Sequence, residues 1–162
     1  MSEQKDAHPK RKRPAHWPVV ESENRSIIVF LTICSKDRQP ILACEDAMLN
    51  LMKVWRASDH WAVGRFTIMP DHIHLFCSPG ISPVRPLKTW IGHWRSQVAR
   101  SWRTVEDKPL WQREYWDRQL WSGDSYSEKW HYVRNNPVRQ GLVENADDWP
   151  YQGEIQELQW HD

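Results

Sequence analysis

Residues 62–69 and 72–77 are two runs rich in β-branched, aromatic and aliphatic side chains, and only Pro70 and Asp71 separate them. A connection that short makes the two runs an antiparallel hairpin, because parallel neighbours need a crossover of about a dozen residues or more. The other elements arrange themselves around it. Residues 27–34 form an apolar, β-branched first strand, closed by a turn-like segment at 36–40. In residues 45–57, Met48, Leu51, Met52 and Trp55 recur at helical intervals, and Asp59 with His60 marks the end of a first helix. Pro83 and Pro86 stand where a second helix opens, and its stripe of Leu87, Trp90, Ile91, Trp94, Val98 and Trp102 reads as core. A fourth strand is expected over residues 115–121. Strand, helix, strand, strand, helix, strand is the split βαβ order of α+β folds of the ferredoxin-like or RRM-like kind, an antiparallel sheet with two helices on one face.

A further helix follows, opened by the capping pair Ser125 and Glu128 and stopped where Asn136 meets Pro137. A brief turn through residues 138–140 then ends at Gly141, a natural left-handed cap. At about 100° per residue, Tyr126, Trp130, Val133 and Pro137 make one narrow buried stripe, whereas Tyr132 and Asn136, at i and i+4, share another face. This helix is expected to bring its tyrosine to the sheet face that the first two helices leave uncovered. In the third strand alternation turns Ile73, Leu75 and Cys77 toward those two helices and His72, His74 and Phe76 toward the open face. From residue 144 onward the chain is polar with scattered aromatics. The expected division is a basic, flexible arm over 1–24, one domain over 25–143 and a C-terminal tail over 144–162.

A chain of 162 residues and 19.4 kDa accommodates one domain with a real core. Its net charge of +1 gives no global argument for a polyanionic partner, so any nucleic-acid footprint must be local. Two basic clusters qualify. Lys10, Arg11, Lys12 and Arg13 are consecutive in the arm, and Arg85, Lys88 and Arg95 belong to the second helix; a solubilising tail and a solvated helix face are the plain alternatives. Twelve tryptophans are far more than usual, and indoles stack well on unpaired bases. Trp90, Trp94 and Trp102 fit packing better, while Trp17, Trp111 and Trp121, at element edges, are open to either role. Three cysteines cannot all pair and lack metal-ligand spacing, which points to a reducing, cytoplasmic compartment. No run of residues is long and apolar enough to suggest a membrane span.

His72 and His74, at i and i+2 on a rigid strand, point the same way, and neutral imidazole is a good ligand for a divalent ion. A bare His-x-His pair also occurs on ordinary strand surfaces, and a metal needs further donors. Tyr132 shares its face with Glu128 and Asn136 rather than with the apolar stripe, which favours function over packing. No glycine-rich loop that would cradle a nucleotide phosphate is present, so no nucleotide cofactor is expected.

The combination of residues 69–76, Trp111-Gln112 with Tyr115-Trp116-Asp117, residues 132–138 (Tyr-Val-Arg-Asn-Asn-Pro-Val) and Gly141-Leu142-Val143 resembles the REP-associated tyrosine transposases. These are single-tyrosine members of the His-hydrophobic-His (HUH) nuclease group. The likeness covers residues 25–149. It implies that His72 and His74 bind a divalent metal, magnesium or manganese, with Asn136 as third ligand, and that Tyr132 attacks the scissile phosphate to leave a 5′-phosphotyrosine bond. It also implies single-stranded or palindromic hairpin DNA as partner, with Lys10, Arg11, Lys12, Arg13, Arg85, Lys88 and Arg95 as DNA contacts, and a nucleoid-associated protein working as monomer or homodimer. Arg118 stands where the family often has histidine, and Gln140 replaces a frequent alanine. Glu128 is a weaker candidate for the base than for a helix cap. Two other classes use similar parts: a non-catalytic ferredoxin-like nucleic-acid-binding module, which would carry aromatics where His72 and His74 stand, and a metal phosphodiesterase attacking with water, for which a further alternating histidine would replace Phe76.

Overall fold

A computed structural model describes residues 27–80, 85–121 and 125–160. The elements run β1 (Val29–Ser35), α1 (Glu45–Arg56), β2 (Trp61–Ile68), β3 (His72–Pro79), α2 (Leu87–Arg100), β4 (Trp111–Gln119), α3 (Tyr126–Arg134), α4 (Asn136–Arg139) and β5 (Gln152–Glu154). The sheet order is β4-β1-β3-β2-β5 with every pairing antiparallel, which is the expected split βαβ sheet plus one added edge strand. Pro70 and Asp71 do close the hairpin: the Met69 N–H donates to the His72 carbonyl at 2.7 Å.

Alternation along β3 divides the interior in two. Ile73, Leu75 and Cys77 enter the larger core with Leu51 and Trp55 of α1 and Trp90 and Trp94 of α2. Phe76 faces the other way, into a smaller cluster with Ile28, Leu120, Tyr126, Val133 and Leu158. α1 carries Glu45 and Asp46 in its first turn and Lys53 and Arg56 in its last, charges that suit the helix dipole at both ends. α3 has the expected cap, with the Glu128 N–H donating to Ser125 Oγ at 3.1 Å. Gly141 takes φ +73°, the left-handed conformation that ends α4.

The segment 144–162 departs from the expectation of a polar tail. Within it β5 pairs with Arg65, Phe66 and Thr67 of β2, the Trp149 indole N–H donates to the Ile68 carbonyl at 3.1 Å, and Leu158 is buried in the smaller core. Gln152, Gly153 and Glu154 carry no strand-forming side chains, so backbone pairing on an available edge makes this strand rather than propensity. Trp111 also proves to be packing: its indole N–H reaches the Arg95 carbonyl at 3.0 Å and its ring meets Trp94 edge-on. Trp102, half-buried beyond the end of α2, donates to Asp107 at 2.8 Å. Trp17, Pro83 and the basic stretch from Lys10 to Arg13 lie outside the described residues. No helix among the described residues is long and apolar enough to cross a membrane.

Candidate active site

The open side of β3 meets the appended helices in a cleft of about 410 Å³, lined by Phe30, His72, His74, Lys129, Tyr132, Val133, Asn136, Arg139 and Gln140. The imidazole pair, the exposed phenol and the amide at i+4 from it thus converge on one place. Val133 seats α3 in the smaller core, and this anchor leaves Tyr132, its neighbour in sequence, 61% exposed over the cleft.

Each imidazole is oriented by a hydrogen bond at Nδ1. His74 Nδ1 lies 2.9 Å from Thr32 Oγ1, and His72 Nδ1 lies 2.7 Å from Asp71 Oδ1. Asp71 is in turn gripped by Arg38, whose Nε donates to Oδ2 at 2.9 Å. Arg38 and its neighbour Asp37 adopt φ of +55° and +54°, conformations that side-chain-bearing residues rarely take, immediately after β1. That turn places the guanidinium on Asp71. Against the effect of partial burial, the bonds from Arg38 and His72 hold the Asp71 carboxyl below its ordinary range. Phe30 stacks on His74 with ring centroids 5.3 Å apart, and the two imidazoles lie edge to face at 4.7 Å.

Burial pushes His72 down, against the pull of Asp71. Burial also takes His74 from 6.5 to about 3, helped by the positive charges of His72, Lys129 and Arg139. Both rings are therefore neutral near pH 7, and the tautomer protonated at Nδ1 leaves Nε2 with a lone pair for a metal. The Asn136 amide sits 3.2 Å from His72 Nε2. Its nitrogen and oxygen exchange by a half-turn of the amide, so an oxygen can be presented in the same place. Two neutral imidazoles with their far nitrogens tied, and an amide beside them, fit a divalent ion. Among the described residues no group of three or more His, Cys, Asp or Glu is gathered for a metal, and Asn136 is the oxygen-bearing side chain that stands beside the two imidazoles.

Asn136 is buried, although its helical spacing from exposed Tyr132 put the two on one face. The break between α3 and α4 at Asn135 explains the difference, because it turns Asn136 inward onto His72 while Tyr132 stays at the mouth. Lys129 and Arg139 are site residues that sequence reasoning passed over. Arg139 stacks its guanidinium 3.9 Å from the Tyr132 ring centroid, and Lys129 Nζ lies 6.0 Å from the same ring. The spacing of Lys129, three residues before Tyr132 on the same helix, was a readable helical signal, whereas Arg139 lies beyond the break at Asn135 and had none. Thr32 and Arg38 had no comparable signal, since strand register and an unusual turn bring them in.

The other expected residues are elsewhere. Arg85 and Lys88 are exposed at the start of α2, on the helix-covered side of the sheet. Arg95 donates to the carbonyl of Gln112 at 2.8 Å and covers the Tyr115 ring, bracing α2 against β4. A second cleft, about 490 Å³, lies beside α1 and the segment after α2, and none of its lining residues belongs to the cleft that holds the imidazoles.

A family model described as "Transposase IS200 like" matches residues 24–136. The REP-associated tyrosine transposase of Escherichia coli (strain K12) is 22% identical over 125 residues, covering 75% of this chain and 73% of that protein. A Haemophilus influenzae protein, provisionally given the same name, is 29% identical over 94 residues, and the match spans about half of each, 52% of this chain and 53% of the relative. Among solved structures, a REP-associated tyrosine transposase bound to a REP hairpin superposes with a TM-score of 0.61 at 18% identity, over 85% of this chain and 92% of that one. With the family match extending over more than half of its length, the chain belongs to the IS200-like transposases.

Proposed function

We propose that the protein cleaves and rejoins single-stranded DNA at hairpin-forming repeats, with Tyr132 as nucleophile and a divalent metal, magnesium or manganese, at His72, His74 and Asn136. The observation that carries this reading is the shared cleft, in which an exposed phenol, two neutral imidazoles and a buried amide meet. A relative whose solved structure holds a REP hairpin supports the choice of DNA.

In the reaction Tyr132 Oη attacks the scissile phosphorus. The new O–P bond forms as the bond to the 3′ oxygen breaks, and the phenolic proton is balanced by one taken up at that oxygen. The products are a 5′-phosphotyrosine linkage and a free 3′-OH, and attack by a 3′-OH on the linkage reverses the step and releases Tyr132. A divalent ion held there would supply neutralising charge to a phosphoryl oxygen. His72 and His74 stay oriented because Asp71 and Thr32 hold their far nitrogens, and burial keeps both rings neutral. Arg139 and Lys129 keep positive charge beside the phenol and the phosphate it attacks. Exchange of one phosphoester for another needs no nucleotide cofactor.

Incubation with labelled hairpin DNA and manganese should give an adduct that survives denaturation. Tyr132→Phe should abolish the adduct while sparing DNA binding, and His72→Ala should cut its yield by at least about 100-fold, the effect typical of losing a metal ligand or its support. An adduct that persists in Tyr132→Phe overturns the assignment of the nucleophile.

A further inference from the structure

The open face of the sheet is only half covered. On the β2 side, α3 and the C-terminal segment close it around Phe76, Tyr126, Val133 and Leu158, and Thr67 there is fully buried. On the β1–β4 side it stays accessible. Register shows what that side presents: Thr32, which touches His74, pairs with Trp116 of β4, and Phe30, which stacks on His74, pairs with Arg118. Residues paired across antiparallel strands project from the same face. Leu31, Ile33 and Tyr115 alternate with them into the larger core, as the same register requires. Trp116, Thr32 and His74 therefore form one row from the sheet edge to the metal-ligand pair, about 10 Å long by two interstrand steps of ~4.8 Å.

Trp116 is 39% exposed in that row, an indole on a strand that lies at the edge of the sheet. Arg118 is exposed beside it, and Lys129 and Arg139 continue the positive charge to the mouth of the cleft. Glu114 stands on the other side of the indole, so the cations lie along the strand at Arg118 and toward the cleft. An aromatic face with cations on that path suits an unpaired nucleotide, because the ring takes the base and the cations take the phosphates.

We propose that Trp116 is a base-stacking subsite for the single-stranded DNA that leads into the active cleft over β1 and β4. This rests on the transposase reading above, which supplies the strand; the indole fixes the nucleotide next to the scissile region and so positions the phosphate at Tyr132. Stacking does not discriminate strongly among bases, so the subsite serves placement more than sequence choice.

The test uses the full chain in a Tyr132→Phe background, which removes cleavage, and compares fluorescein-labelled oligothymidylate with an abasic oligomer of the same length and charge. Trp116→Ala should weaken binding of the oligothymidylate about tenfold and leave the abasic oligomer unchanged, while Trp116→Phe should stay within about threefold of the parent. Equal weakening on both oligomers, no weakening on either, or a parent that does not distinguish base from abasic DNA overturns the subsite. Failure of the larger reading looks different, because it is a missing adduct with Tyr132 intact.

Discussion

At the level of single side chains, His74 sits in an environment far from that of an imidazole in water. It is half-buried under Phe30, held at Nδ1 by Thr32, and faces the positive charges of Lys129 and Arg139. The unfolded chain takes up this proton near 6.5 and the folded one near about 3, so between those values the unfolded state holds the extra proton. Stability is complete above the first value and is lost as pH falls toward the second; at about pH 5 the loss should be on the order of 2 kcal/mol. His72 is shifted in the same direction. Urea unfolding in EDTA at about pH 7.5 and about pH 5 should show the wild type losing ~2 kcal/mol more than His74→Gln. Equal losses would mean that the folded imidazole titrates as if it were in water. Sequence alone exposed the two imidazoles and Tyr132, because alternation and helical spacing are local properties. It did not expose the orienting groups Thr32 and Arg38, which lie 42 and 33 residues from their partners and depend on β1–β3 register and on left-handed backbone at Arg38.

Among the elements, those with strong internal periodicity were legible and those made by tertiary pairing were not. The hairpin, α1, α2 and the capped α3 each announce themselves through alternation, a 3.6-residue stripe or a cap. β5 does not, since Gln152, Gly153 and Glu154 are held by an edge of β2 and by the docking of Trp149 and Leu158 around it. Gly64 is a point where this docking is tight. A Cβ there would come within 2.6 Å of the Leu158 side chain, and β2 is irregular between Val63 and Phe66. Leu158→Ala should cost about 2–3 kcal/mol by leaving a cavity in the smaller core. Gly64→Ala should cost roughly 1–3 kcal/mol by overpacking. The double variant should fall well short of the sum, because truncating Leu158 removes the atoms that a methyl group added at Gly64 would strike. Chemical denaturation of the four proteins measures this coupling, and strict additivity would mean that the C-terminal segment does not pack on β2 at this point.

For the molecule as a whole, the two faces of the sheet have separate duties. One is sealed by α1 and α2 over a tryptophan-rich core, and the other holds the cleft with an open approach across β1 and β4. The basic residues divide accordingly. Lys129 and Arg139 line the cleft, whereas Arg85 and Lys88 stand at the start of the helix on the sealed face and Arg95 is engaged with β4 carbonyls. A net charge of only +1 means that affinity for a polyanion must come from a few well-placed cations rather than from the overall field. If the strand enters over the open face, each phosphate contact should contribute ~0.7 to the slope of log affinity against log salt. Lys129→Gln and Arg139→Gln should each flatten that slope by about this amount for oligothymidylate, and Arg85→Gln and Lys88→Gln should leave it unchanged. Titrations in the Tyr132→Phe background across a range of chloride concentrations give the comparison directly. A slope that responds to Arg85 and Lys88 but not to Lys129 and Arg139 would put the DNA on the helical face, away from the phenol and the imidazoles.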